Sequence, residues 1–155
     1  MTGNEIEIFG QLILAIVLGS LVGLERELSK KSAGMRTFAL VSLGASFFTI
    51  ISILAMETFS DSNFELSRIP SQIVVGVGFI GAGLIIFQRS QLKGLTTAAG
   101  LWVAAAVGMA IGFKFYLLAL FATFLTVLIL VFFWFLERKI VKKLVTELPI
   151  EEEEY

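Results

Sequence analysis

Ionisable side chains crowd one short segment of this chain. Gly23 to Thr37 reads GLERELSKKSAGMRT and brings Glu25, Arg26, Glu27, Lys30, Lys31 and Arg36 together between two apolar runs. Glu57 closes the second run, and Arg68 stands just ahead of the third. Neighbouring charges of opposite sign can pair. A Glu25–Arg36 or Arg26–Glu27 pairing would seal one end of a helix bundle, and the same groups could instead gate an ion. A charge inside an apolar span is costly and marks function by default, whereas one at a span's end can snorkel to the headgroups. Lys30, Lys31, Lys93 and Lys114 fit snorkelling or a topology signal. Mg²⁺ takes oxygen ligands, keeps several waters and uses one or two carboxylates. Glu25, Glu27 and Glu57 are therefore the groups that could hold a hydrated Mg²⁺ at a mouth, with Glu25 and Glu57 the first candidates. No other cofactor is expected. Gln72, Thr96, Thr97 and Trp102 add polar or amphipathic groups at helix ends, where a threonine can bond a preceding carbonyl of its own helix.

Absent residue types narrow the chemistry. The chain has no His and no Cys, which removes disulfides, thiolate chemistry, Cys/His zinc sites and every mechanism that needs an imidazole. General acid–base or nucleophilic catalysis needs paired titratable groups in a pocket, and the apolar runs contain no His, Cys or Asp, so an enzyme is not expected. The net charge is −1 and leaves no basic footprint for nucleic acid.

These charges must be positioned by apolar elements. Of the 155 residues, 57% are hydrophobic and 16% charged, where soluble domains have about 25% charged. Mean hydropathy is +0.90. A soluble domain of about 150 residues leaves roughly 30% of its surface exposed, too much for this composition to hide from water, so the expected solvent is lipid. Five apolar stretches follow: Ile6–Leu24, Phe38–Met56, Gln72–Phe87, Leu95–Gly112 and Phe115–Leu136. Unpaired backbone is prohibitive in hydrocarbon, so each is expected as a helix. The third is short, and its helix is expected to start near Ile69, because Pro70 costs nothing in a first turn. The expectation is an all-α polytopic bundle of five spans over residues 1–136, with consecutive helices as antiparallel neighbours. A short tail, amphipathic and then acidic, covers 137–155. The acidic start MTGNEIEIF lacks a basic region and a cleavage site, so a cleaved signal peptide is not expected.

Ten of the twelve Lys and Arg side chains fall on one side of such a topology: Arg26, Lys30, Lys31, Arg36, Arg89, Lys93, Arg138, Lys139, Lys142 and Lys143. Only Arg68 and Lys114 fall on the other. Cytoplasmic loops carry the positive excess, which places the N-terminus outside and the C-terminus inside. With a shift of 60 residues, Ile13, Val17, Gly23, Leu24, Gly34, Thr37, Ala39 and Ala45 match Ile73, Val77, Gly83, Leu84, Gly94, Thr97, Ala99 and Ala105. Two parallel two-helix repeats plus a peripheral fifth helix would account for that.

Small residues should hold the bundle together. Ala15, Gly19 and Gly23 share one helix face, as do Gly100, Ala104, Gly108 and Gly112. Lipid tails are as apolar as Leu, so close approach at small residues drives association, within one bundle or between copies in a homo-oligomer. The third run carries Gly76, Gly78, Gly81 and Gly83. Its GVGFIG matches G-x-G-x-x-G but lacks the preceding strand and polar phosphate site of a dinucleotide fold. These glycines would allow a tight crossing or else break the helix beside a cavity, and the tight crossing is favoured. The fifth run is Phe- and Leu-rich, with Tyr116 and Trp134 near its ends as interface anchors.

Three blocks resemble a known family. Leu18 to Ser52 (LGSLVGLERELSKKSAGMRTFALVSLGASFFTIIS) is similar to the first half of the MgtC/SapB family of bacterial inner-membrane proteins. Ser67 to Ile86 and Lys93 to Gly112 resemble its second half, in the same order and spacing. The resemblance covers about Leu12 to Gly112. Members commonly read Asp-Pro-x-Arg before the third helix, where this chain has Glu65, Leu66 and Ser67 ahead of Arg68. Many carry a soluble C-terminal domain, and this chain resembles a SapB-like member with the membrane domain alone. The resemblance implies a role in growth under magnesium limitation, in virulence and in membrane energetics, including inhibition of the proton-translocating ATP synthase, which is thereby an expected partner. Residue by residue it points to Glu25, Arg26, Gly34, Arg36, Thr37, Arg68, Gln72, Gly78, Gly81, Gly83, Thr96, Thr97 and Trp102. The family's older label as part of a transporting ATPase does not suit a chain without an Asp-Lys-Thr-Gly or Walker motif. The expected function is magnesium or ion homeostasis by non-enzymatic contacts with membrane proteins. The alternative is a small Mg²⁺ or proton channel with Glu25, Arg26, Arg36 and Arg68 at its mouths.

Overall fold

Apolar runs with no backbone partner other than themselves become helices, and the computed structural model has five. It describes residues 3–59, 65–88 and 91–147. They are α1 (Gly3–Leu28), α2 (Met35–Phe59), α3 (Arg68–Leu84), α4 (Leu95–Gly112) and α5 (Tyr116–Glu147). Four of them, α1, α2, α4 and α5, are long and apolar enough to cross a bilayer. α3 has 17 residues, about 26 Å at the α-helical rise, against about 30 Å of hydrocarbon. Arg89, assigned above to the cationic side, and the acidic run Glu151–Glu154 lie outside the described residues.

The third apolar run departs from expectation at its far end. α3 begins around Pro70 as anticipated, but it stops at Leu84 instead of continuing to Phe87. Ile85 turns extended, with ψ 113°, as β-branched residues favour. Ile86–Gln88 (β1) then pairs antiparallel with Gln91–Lys93 (β2), with Phe87 opposite Leu92. This hairpin is the one non-helical element among the described residues. Gly94 closes it with φ +92°, and a Cβ there would fall on the Leu84 carbonyl oxygen. Only glycine supplies both the left-handed backbone and the missing methyl.

α4 is the hub and packs against all four other helices. Half of its apolar window is buried, against 17% for α5. Gly100, Ala104, Gly108 and Gly112 are all buried, and the face meets α2. A Cβ on Gly112 would lie 2.6 Å from the Thr49 Cβ, and one on Gly108 would fall on the Ser42 carbonyl oxygen. On α1, a Cβ at Gly19 would lie 2.7 Å from the Phe38 carbonyl oxygen, and one at Gly23 would lie 2.6 Å from the Met35 Cα. These two small-residue faces therefore clamp α2 from two sides, at separations only glycine permits.

α3 packs differently from the tight crossing expected of it. It buries Pro70, Val77 and Gly81, and Gly81 makes only ordinary contact, 3.6 Å to the Ala98 Cβ. Gly76, Gly78 and Gly83 have nothing within 4 Å of a Cβ. These glycines are left unpacked within the chain, Gly78 and Gly83 at exposed positions and Gly76 on an open groove beside α2. The 60-residue repeat diverges at the same place, with Gly23 blocked and Gly83 open. α5 touches only α1 and α4 closely and exposes Leu117, Phe121, Phe124, Phe132 and Phe135, as a lipid-facing helix should. It runs past the expected boundary at 136 to Glu147.

Candidate functional site

The packing face of α1 continues into its charges. Val22 and Arg26 lie four residues apart on one side of the helix, and both are buried. Arg26 pairs with the adjacent Glu25 carboxylate. Ser29, one turn on, donates its hydroxyl to Glu25 Oε1 at 2.8 Å. A buried guanidinium is thus neutralised within one helix turn, as burial of charge demands.

Neither pairing expected above forms. Glu27 points outward, and its Oε2 accepts the Met35 N–H at 3.0 Å. That carboxylate caps the start of α2 from α1, where first-turn N–H groups lack helical partners. Arg36 is exposed. The reason is helical phase: positions 25 and 26 border the buried face, while 27 and 36 turn to the rim.

The turn after α1 is closed by Lys30 N–H to the Glu27 carbonyl and Lys31 N–H to the Arg26 carbonyl, both at 3.0 Å. Lys30 is left-handed, with φ 53°. Beside this turn a cleft of about 650 Å³ opens between α1, the hairpin, the start of α4 and α5. Arg26, Lys30, Lys31 and Lys93 line it, facing Glu137. Thr96 and the buried Thr97 stand on its floor in the first turn of α4.

The other end of the bundle carries a separate polar group. Gln11, buried on α1, donates to the Ile111 and Gly112 carbonyls at 2.7 and 3.3 Å and so satisfies the end of α4. Lys114 donates to Glu7 at 2.9 Å, and the carboxylate beside it holds its ammonium above the usual lysine range. Tyr116 donates to the same carboxylate at 3.3 Å. Glu57 borders the small pocket of about 90 Å³ that Glu7, Gln11 and Lys114 also line. Glu25 and Glu57 therefore stand at opposite ends of the bundle and cannot hold one ion together. Among the described residues no three Asp or Glu side chains gather as a metal site.

The remaining candidates scatter. Arg68 is exposed, at the end opposite Arg36. Thr37 and Gln72 border an apolar groove of about 780 Å³ between α2 and α3. Trp102 is exposed on α4. Arg68 stands at the end of the bundle opposite Glu25 and Arg36, so the three do not line one site.

One feature escaped the sequence reading. Ser42, Ser46, Thr49 and Ser52 are fully buried on one face of α2. Thr49 bonds the Ala45 carbonyl and Ser52 the Leu66 carbonyl. The hydroxyls of Ser42 and Ser46 have no partner. The i, i+4, i+7, i+10 spacing of these four was visible in the sequence as a polar stripe on an otherwise apolar helix.

Comparison with known proteins decides the family. The MgtC family model matches residues 12–139. The chain belongs to the MgtC family. Its relatives include "Putative magnesium transporter YhiD" of Escherichia coli K12, 39% identical over 139 residues, covering 86% of this chain and 63% of that one. Protein SrpB of Synechococcus elongatus is 39% identical over 148 residues, 88% of this chain and 80% of its own. Protein MgtC of Salmonella typhimurium LT2 is 44% identical over 112 residues, 72% of this chain and 46% of its own. The chain thus spans less than two thirds of YhiD and of MgtC. No solved structure matches it. As a member of the MgtC family with four apolar helices of spanning length, it is a multi-pass membrane protein.

Proposed function

We propose that this MgtC-family chain serves magnesium homeostasis in the bacterial inner membrane, without catalysis, through helix contacts with other membrane proteins. Its N-terminus faces outside and its C-terminus the cytoplasm, in keeping with its Lys and Arg distribution. The magnesium part is supported by the relative YhiD, whose name carries magnesium transport. The contact part is carried by one observation: the open groove between α2 and α3. Gly44 and Gly76 stand on its walls with nothing within 4 Å of a Cβ. Helices associate in lipid where small residues admit close approach, and this groove offers such a seat. A second copy of the chain and the ATP synthase are the first partners to test.

Gly44→Leu and Gly76→Leu fill the groove without touching the chain's own core. Both variants should insert and fold, yet lose the partners that wild type captures by cross-linking in native membranes. They should also fail to support growth at low Mg²⁺. Retention of the wild-type cross-links would overturn the contact reading.

A second reading, cation passage, is favoured by the hydroxyl row of Ser42, Ser46, Thr49 and Ser52. It covers about 15 Å of α2, between the Arg26 end and the Gln11 end. Purified protein in sealed vesicles should then pass Mg²⁺ or protons, more slowly with Glu25→Gln or with the serines replaced by alanine. Vesicles that pass neither ion dispose of this reading.

A further inference from the structure

The cleft at the Lys- and Arg-rich end has two unlike walls. One is cationic: Arg26, Lys30, Lys31 and Lys93. The other is apolar and belongs to α5: Ile129, Leu130, Phe133 and Trp134. Arg138 stacks over Trp134, 4.2 Å from the ring centroid, and holds that ring in place by cation–π attraction. The floor is the first turn of α4, whose N-cap Gly94 offers no side-chain cap, so its leading N–H groups lack helical partners. Arg26, 3% exposed and paired with Glu25, is fixed in the fold behind the lysines.

We propose that this cleft seats an anionic phospholipid, its phosphodiester among the lysines and the first-turn N–H groups of α4, its acyl chains along the α5 wall. Three observations favour a lipid over a soluble anion. The apolar wall is part of a spanning helix, so the cleft opens sideways to the acyl region. Its other wall lies at the headgroup level, where basic side chains attract anionic lipid. Its volume of about 650 Å³ exceeds what a bare phosphate fills. Three lysines and the Glu25-paired Arg26 line the cleft together with one carboxylate, Glu137.

The chain has two tryptophans, and Trp102→Phe leaves Trp134 as the sole reporter beside the cleft. The full chain with this change is reconstituted in vesicles containing either phosphatidylglycerol or phosphatidylcholine with brominated acyl chains. Brominated phosphatidylglycerol should quench Trp134 at a mole fraction at least about fivefold lower, roughly the worth of one basic side chain at an anionic surface. Adding Lys30→Asn, which tolerates the left-handed backbone, with Lys31→Gln and Lys93→Gln should abolish the preference. Lys31→Gln and Lys93→Gln singly, both at exposed positions, should each lower it, and Lys31→Arg with Lys93→Arg should keep it. Equal quenching by the two lipids overturns the proposal, as does a preference that survives removal of the lysines. Loss of the preference to millimolar inorganic phosphate would show a free-anion site and would equally overturn the lipid assignment.

Discussion

Gly108 of α4 lies directly against the main-chain carbonyl of Ser42 on α2, with no space for a methyl group between them. Backbone meets backbone there, so neither side can yield by changing a rotamer. The separation of the two central helices is set at this point, and the unpartnered Ser42 hydroxyl is sealed beside it.

Gly108→Ala should therefore destabilise the bundle by about 1–3 kcal/mol, the usual cost of overpacking. Gly76→Ala, which meets nothing within 4 Å, should be close to neutral. Thermal unfolding of both variants in the same detergent checks the contrast. Equal losses would show that the α2–α4 crossing is looser than described.

Removing one partner of the Glu25–Arg26 pair leaves a buried charge uncompensated. Glu25→Ala should cost about 3–5 kcal/mol, and joint replacement of Glu25 and Arg26 by leucine should cost much less. A double-mutant cycle on unfolding free energy separates the two cases. Additive losses would mean that the pair is not coupled.

Glu27→Ala removes the acceptor that receives the Met35 N–H. The loss should be about 0.5–2 kcal/mol, in the range of a helix cap. Glu27→Gln keeps an acceptor oxygen and should retain most of the stability. Amide exchange at Met35 should rise in the alanine variant alone.

Gln11→Leu takes the donor away from the Ile111 and Gly112 carbonyls. Leaving buried acceptors unmet costs about 1–3 kcal/mol, and exchange should quicken at the last turn of α4. The Lys114–Glu7 contact, which is exposed, should contribute little by comparison when Lys114 becomes Met.

Composition and hydropathy alone determined that this chain dissolves in lipid as helices, because hydrocarbon offers an unpaired backbone no other partner. The ranges of α2 and α4, the start of α5, the start of α3 at Pro70 and the small-residue faces of α1 and α4 were all legible for that reason. Spacing also carried the burial of Arg26, one turn beyond Val22, and of the serine stripe that was overlooked. What spacing could not carry was which neighbour each side chain meets. Glu25 takes Arg26 rather than Arg36, and Glu27 takes a backbone amide. Gly78 and Gly83 face outward, while Gly19 and Gly108 lock the core. Those outcomes depend on the rotation of each helix about its axis and on the hairpin that ends α3. Such angles are settled only when surfaces from distant parts of the chain compete for the same contacts, so the tertiary structure alone decided them.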